Sequence, residues 1–133
     1  MKGNIIVVGA GKLGSAIAKE ASKLDRNVLV LDRKADVVDN LENFSGYIEQ
    51  GDALDLDILE ECGIKDADSV VITTDNDNTN IYLADVCQRI YHVNHIYVRL
   101  NDSRKAKICK GPNIKTICPF ELSMADFMKE YEG

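Results

Sequence analysis

The run Asn4-Ile5-Ile6-Val7-Val8 passes directly into Gly9-Ala10-Gly11-Lys12-Leu13-Gly14, and no other stretch of the chain limits its fold as strongly. A continuous β-branched run suits a strand covered on both faces. The Gly-x-Gly-x-x-Gly pattern that follows asks for a tight turn into a helix. Gly9 permits the turn, Gly11 lets a pyrophosphate approach the backbone, and Gly14 allows helix and strand to pack closely. Free amides at the helix start, with their partial positive charge, then receive the phosphates. Glycine turns alone are common. With a strand before it and a helix after it, this one reads as a dinucleotide fingerprint.

The rest of the chain repeats the same alternation. The pattern predicts a helix over Lys12–Leu24 with Leu13, Ile17, Ala21 and Leu24 on one face, then a strand over Asn27–Leu31. A helix over Asp36–Asn43 and a short strand over Gly46–Glu49 follow. Asp55 is placed to cap a helix carrying Ile58, Leu59 and Cys62, with Gly63 as its stop. Ser69–Thr73 forms a fourth strand. Asp77 to Tyr91 forms a long helix, capped by Asp77, with Ile81, Ala84, Val86 and Ile90 inward. His95–Leu100 gives a fifth strand, Ser103–Lys110 a helix, and Lys115–Cys118 a sixth strand closed by Pro119. Glu121–Tyr131 is the last helix. Such alternation specifies an α/β fold, a Rossmann-like doubly wound parallel sheet of six strands with helices on both faces. Its ligands bind at the carboxyl ends of the strands, where strand order reverses.

Those ends carry the candidate site. Asp32 closes the second strand eighteen positions after Gly14. A carboxylate there accepts hydrogen bonds from ribose hydroxyls and repels a 2′-phosphate, which favours NAD over NADP. Arg33 beside it offsets that preference. Lys12 is either a solvated first-turn residue or a phosphate contact. Asp52 either caps the next helix or faces an adenine amino group. The polar run Thr73 to Asn80 is either a hydrated turn or a line of donors and acceptors along a ligand.

Composition excludes several classes. With 16 Lys+Arg against 22 Asp+Glu and a net charge of -6, the chain is a poor general binder of nucleic-acid backbones. No apolar run approaches the roughly 20 residues of a membrane span, and the start carries no signal-peptide pattern, so a cytosolic setting is expected. Cys62, Cys87, Cys109 and Cys118 contain no Cys-x-x-Cys pair and read as reduced, mostly buried thiols. His92 and His95 are three apart but straddle a helix–strand junction, which disfavours a metal site. At 133 residues the chain fits one domain over 1–133.

Blocks beyond the glycine fingerprint narrow the reading. These are Leu31-Asp32, Gly51-Asp52-Ala53, Gly63-Ile64-Lys65-Asp66-Ala67-Asp68, Thr74-Asp75-Asn76-Asp77 with Asn80, and Val98-Arg99-Leu100-Asn101. In that combination the chain resembles the TrkA-N or RCK N-terminal domain family, the KtrA/TrkA-like regulators of potassium channels and transporters. The resemblance implies a cytoplasmic domain that binds NAD(H) or an adenine nucleotide (ATP, ADP or AMP). It implies homodimers and ring oligomers attached to a membrane-embedded potassium channel or transporter subunit. By the same resemblance Gly9, Gly11, Lys12, Leu13 and Gly14 hold phosphates and Asp32 holds the ribose, with Arg33 alongside. Asp52 and Ala53 border the adenine, Thr73, Thr74 and Asp75 line the remaining wall, and Arg99 stands near the ligand or a partner subunit.

Family members usually continue into a second subdomain, so this chain is either a piece of such a protein or a single-domain regulator. His92 occupies a turn where the family usually has glycine, and Gly111-Pro112-Asn113 replaces the usual Leu-Gly-Ala turn. The last helix, within 121–133, is a candidate crossover or pairing helix, although Leu122, Phe127 and Met128 suit an ordinary core equally well. The expected activity is regulatory binding rather than catalysis. The alternative is an NAD-dependent oxidoreductase or a fragment of one, which needs a general acid–base group near the nicotinamide.

Overall fold

β1 (Asn4–Val8) lies inside the sheet, with β2 (Asn27–Asp32) on one side and β4 (Ser69–Ile72) on the other. The computed structural model describes residues 3–24 and 26–133. Beyond β2 comes β3 (Tyr47–Gln50), and beyond β4 come β5 (His95–Arg99) and β6 (Ile114–Ile117). The order is therefore β3-β2-β1-β4-β5-β6, and every pairing is parallel. This is the Rossmann-like six-stranded sheet that the alternation predicted. Its order reverses between β1 and β4, where the connections leave toward opposite edges and a crevice opens at the carboxyl ends.

Period-two alternation divides β1 between two cores. Ile6 and Val8 join Leu31, Val70, Ile72, Ile96 and Val98 on one face. Val7 joins Val28, Val30 and Val71 on the other. The first core receives Leu59 from α2 (Leu56–Glu61) and Leu83, Ala84, Val86 and Cys87 from α3 (Asp77–Arg89). The second receives Ala18 from α1 (Lys12–Ser22), and Val37 and Leu41 from the 3₁₀ segment Ala35–Leu41.

The α1 face matches the expected one at Ile17 and Ala21, which pack partly buried against the second core, and departs from it elsewhere. Gly14, Ser15 and Ala18 are its buried residues, whereas Leu24 lies past the helix end and is 71% exposed. Small residues let α1 sit close to β1. At the C-terminus of α3, Ile90 is the C-cap and is 52% exposed, not inward. His92 follows with φ 52°, the left-handed conformation that suits glycine at such a helix end.

Two predicted helices, Asp36–Asn43 and Ser103–Lys110, are shorter 3₁₀ turns over Ala35–Leu41 and Ser103–Lys107. Asn43 has φ 66°, which lies outside helical geometry. The strands are shifted by a residue at some ends, and β3 is an edge strand exposed along its whole length. Gly63, at φ 90°, follows α2 as its stop, and the Asp55 carboxylate caps that helix by accepting from the Asp57 amide at 2.9 Å.

The four thiols are free; Cys87 and Cys109 are buried, while Cys62 and Cys118 are half-buried. Burial pushes the Cys87 thiol up to about 12. Cys62 rises to about 11, through burial and then the nearby Glu49 and Glu61. Among the described residues no cluster of His, Cys, Asp and Glu suits a metal ion, and no helix is long and apolar enough to cross a membrane. α4 (Pro119–Glu132) begins with proline at its first turn and buries no side chain. Leu122 and Phe127 are 63% and 56% exposed, so they do not belong to the core of this chain.

Candidate functional site

Gly9 turns the chain at the end of β1 with φ 96°, a conformation that a side chain would strain. A Cβ there would also meet the Thr73 and Thr74 backbone at 3.0 Å. The turn is tied on both sides. The Gly9 amide donates to the Leu31 carbonyl at 2.9 Å, and Thr73 Oγ1 donates to the Gly9 carbonyl at 3.0 Å. Ser15 Oγ and Asn40 Nδ2 both donate to the Ala10 carbonyl, at 2.9 and 3.1 Å. Ala10 in turn donates its amide to Asp32 Oδ2 at 2.8 Å, while Asp32 Oδ1 accepts from the Lys34 amide at 2.9 Å. The carboxylate ending β2 is thus oriented by two backbone amides, one of them in the glycine turn itself.

Gly11 is the N-cap of α1 and supplies no side-chain cap bond. The first-turn amides of that helix therefore have no side-chain acceptor, the arrangement in which an anion satisfies them. A Cβ at Gly11 would meet nothing within 4 Å, so the approach to those amides is open. At Gly14 a Cβ would drive into the Gly9 carbonyl and come within 2.5 Å of Thr73 Oγ1. Gly11 leaves space for something outside the fold, and Gly14 leaves space for the fold itself.

A cleft of about 720 Å³ opens along the carboxyl ends of β1, β2, β3 and β4. Gly9, Gly11, Asp32, Arg33, Asp52, Ala53, Thr73, Thr74, Asp75 and Arg99 all line it. Lys12, Leu13 and Gly14 stand outside that lining. Lys12 is exposed. Asp52 does not cap α2, since Asp55 has that place; its Oδ1 accepts from the Leu54 amide at 2.9 Å within the loop after β3. Ala53 is buried beneath it. Thr73 is 3% exposed and spends its hydroxyl on the glycine turn.

The α3 cap is Asn76, whose Oδ1 accepts from the Thr79 amide at 3.0 Å, rather than Asp77. Asp77 is buried, and its two carboxylate oxygens accept from the Asn101 and Asp102 amides at 2.8 and 2.9 Å. That demand from the loop after β5 explains why the cap falls one residue earlier. Beside it Asn80, fully buried, donates from Nδ2 to the Thr74 and Arg99 carbonyls at 3.0 and 2.9 Å. Its Oδ1 takes the Thr74 hydroxyl.

Sequence reasoning missed Lys34, Asp36, Asp39, Asn40 and Leu54 as lining residues, whereas Asn76 and Thr79 belong to the polar run it offered as a ligand wall. Most of the missed residues lie in the segment after β2. Their only sequence signal is position just beyond a strand's carboxyl end. Asn40 in particular reaches Ala10 across thirty residues of chain, which no local pattern shows.

The TrkA-N domain model matches residues 5–118. The chain is 30% identical over 115 residues to the Trk system potassium uptake protein TrkA of Streptomyces coelicolor, covering 86% of this chain and 52% of that protein. It thus spans about half the length of this curated relative. Among solved structures, the TrkA-N domain of inner membrane protein ybaL from Escherichia coli superposes with a TM-score of 0.83 at 18% identity, covering 98% and 97% of the two chains. GsuK bound to ADP gives 0.77 at 21% identity over 98% of this chain and 35% of that one. The GsuK channel bound to NAD gives 0.72 at 23% identity over 86% and 21%. These structures share the fold. By the extent of the family match, the chain belongs to the TrkA-N domain family.

Proposed function

We propose that this chain is a regulatory nucleotide-binding domain, holding an adenine nucleotide or NAD(H) in the cleft at the carboxyl ends of β1, β2 and β4. Its partner is a membrane-embedded potassium channel or transporter subunit, to which it attaches from the cytoplasmic side. One observation carries the reading: uncapped α1 amides lie behind an open Gly11, and across the turn Asp32 is held by the amide of Ala10. A diphosphate fits the first feature and a ribose the second. GsuK, solved with ADP and with NAD, has the same fold, and the Streptomyces coelicolor relative is a potassium uptake protein.

Ligand state acts on the partner only to the extent that the ligand prefers one arrangement of the domain. A coupling of about 1–3 kcal/mol changes such an equilibrium by roughly 5–150-fold. Binding rather than turnover is supported by the placement of the histidines. His92 precedes β5 and His95 begins it, at the end of the strand opposite the cleft, roughly 13 Å of extended chain from Arg99. Residues 1–133 form one domain in this reading, and α4 is the helix by which two copies pair. Its apolar side chains Phe120, Leu122 and Phe127 are exposed.

Thermal unfolding and calorimetry with ATP, ADP, AMP, NAD and NADH test the ligand. A bound nucleotide at a hundredfold excess over its Kd should stabilise the fold by about 2.7 kcal/mol. No shift with any of them at millimolar concentration would remove the site. Sustained change in nicotinamide absorbance with hydroxy acids, aldehydes or ketones would instead establish an oxidoreductase.

A further inference from the structure

Arg99 leaves the carboxyl end of β5, and its side chain reaches back over the end of β4, where Nη2 donates to the Thr74 carbonyl at 2.8 Å. Its Nε is buried and has no hydrogen-bond partner among the described residues. The residue is half-buried and lines the same cleft as the glycine turn. The other cations along that cleft, Arg33 and Lys34, follow β2 and are exposed. On the β4–β5 side the charged lining residues are Arg99 and the exposed Asp75.

Asn80 fixes this arrangement. Its carboxamide donates to the carbonyls of both Thr74 and Arg99 and accepts from the Thr74 hydroxyl, all without access to solvent. The ends of β4 and β5 therefore cannot separate while Asn80 keeps its bonds. A guanidinium held this way, partly covered and with donors to spare, receives an anion more strongly than a mobile solvated one.

We propose that Arg99, positioned by Asn80, is the specificity-determining residue for whatever part of the ligand extends past the glycine turn, and that it selects a terminal phosphate. The inference rests on the nucleotide reading above. With the ribose at Asp32 and the first phosphates at α1, the group that arrives at Arg99 is the far end of the ligand. In ATP that end is an anion; in NAD it is a cationic nicotinamide ring, which the guanidinium repels. Adenosine does not reach it.

The test is calorimetry with ATP, NAD and adenosine on the unmodified chain and on Arg99→Gln, Arg99→Lys and Asn80→Ser. The unmodified chain should prefer ATP to NAD. Arg99→Gln should lose about tenfold or more in ATP affinity, the scale of one charge-assisted contact, while adenosine affinity stays within about twofold. Arg99→Lys should fall between, since it keeps the charge and loses the fork. Asn80→Ser should shift the ATP-to-adenosine ratio in the same direction, and combining it with Arg99→Gln should add little. Parallel loss of ATP and adenosine affinity in Asn80→Ser would make that residue structural only. An unchanged ratio in Arg99→Gln, a variant that leaves the Asn80 bonds intact, would overturn the proposal while leaving the nucleotide site standing. If the unmodified chain binds none of the three ligands, both readings fall.

Discussion

The amide of Ala10 donates to the carboxylate of Asp32 at 2.8 Å, so the turn that ends one strand is tied to the acid that ends the next. Asp32 consequently has two tasks, one in the fold and one proposed at the ligand. Replacing it separates them. Asp32→Asn keeps its oxygen for the Ala10 amide and turns its NH₂ toward the Lys34 amide, which is exposed and can turn to water. It should therefore fold with a loss of less than about 1 kcal/mol, yet lose about tenfold or more in nucleotide affinity, because a carboxylate binds hydroxyl donors more strongly than an amide. Asp32→Ala should lose the same affinity and also about 1–3 kcal/mol of stability, since the Ala10 and Lys34 amides lose their acceptor. Calorimetry and urea unfolding read the two effects independently.

Gly11 and Gly14 should respond to a methyl group in opposite ways. Gly11→Ala adds a Cβ that meets nothing, so unfolding should change by less than about 1 kcal/mol while nucleotide binding weakens. Gly14→Ala forces that Cβ against the Gly9 carbonyl and Thr73 Oγ1, and the fold itself should lose several kcal/mol, about the upper range of overpacking. A Gly11 variant that bound ADP normally would show that the turn is only a turn.

Asp77 offers a sharper case, because both of its oxygens are engaged. Asp77→Asn retains one acceptor but points an NH₂ at a backbone amide, Asn101 or Asp102, so the near-isosteric change should destabilise by about 1–3 kcal/mol, close to Asp77→Ala. If Asp77 were the helix cap instead, asparagine would substitute almost without loss. Chemical denaturation of the two variants decides this.

Alkaline pH should weaken the fold through Cys87. Its thiol is raised by burial from an ordinary 9.0 to about 12, so between those values the unfolded chain releases a proton that the folded chain keeps. Stability from this group is complete below about pH 9 and declines above it, by at most about 1.4 kcal/mol per pH unit. Denaturant midpoints from pH 8 to 10.5 should fall less steeply in Cys87→Val than in the unmodified chain. Equal slopes would mean that the thiol titrates normally.

The six strands and the glycine turn were legible because their signals are local: β-branched runs four to six residues long and glycines at fixed offsets. The helix caps were less so. Asn76 and Asp77 are adjacent and both suit a cap, and what separates them is a pair of amides from residues 101 and 102, brought near only by the β4–β5 pairing. Leu24 and Ile90 were read inward because periodicity does not show where a helix stops. Asp32 was found by its spacing, whereas Asn40 was not, since its contact with Ala10 exists only after the sheet has formed. Arg99 entered through family resemblance, and its bond to Thr74 needed the strand order to be known.

α4 runs for fourteen residues and tucks none of them away, with Phe127 and Tyr131 stacked 5.6 Å apart on its surface. A segment of that length is only marginally helical on its own in water. Its ordered fraction in dilute solution should therefore rise with protein concentration, and far-ultraviolet dichroism across a dilution series becomes a direct gauge of self-association.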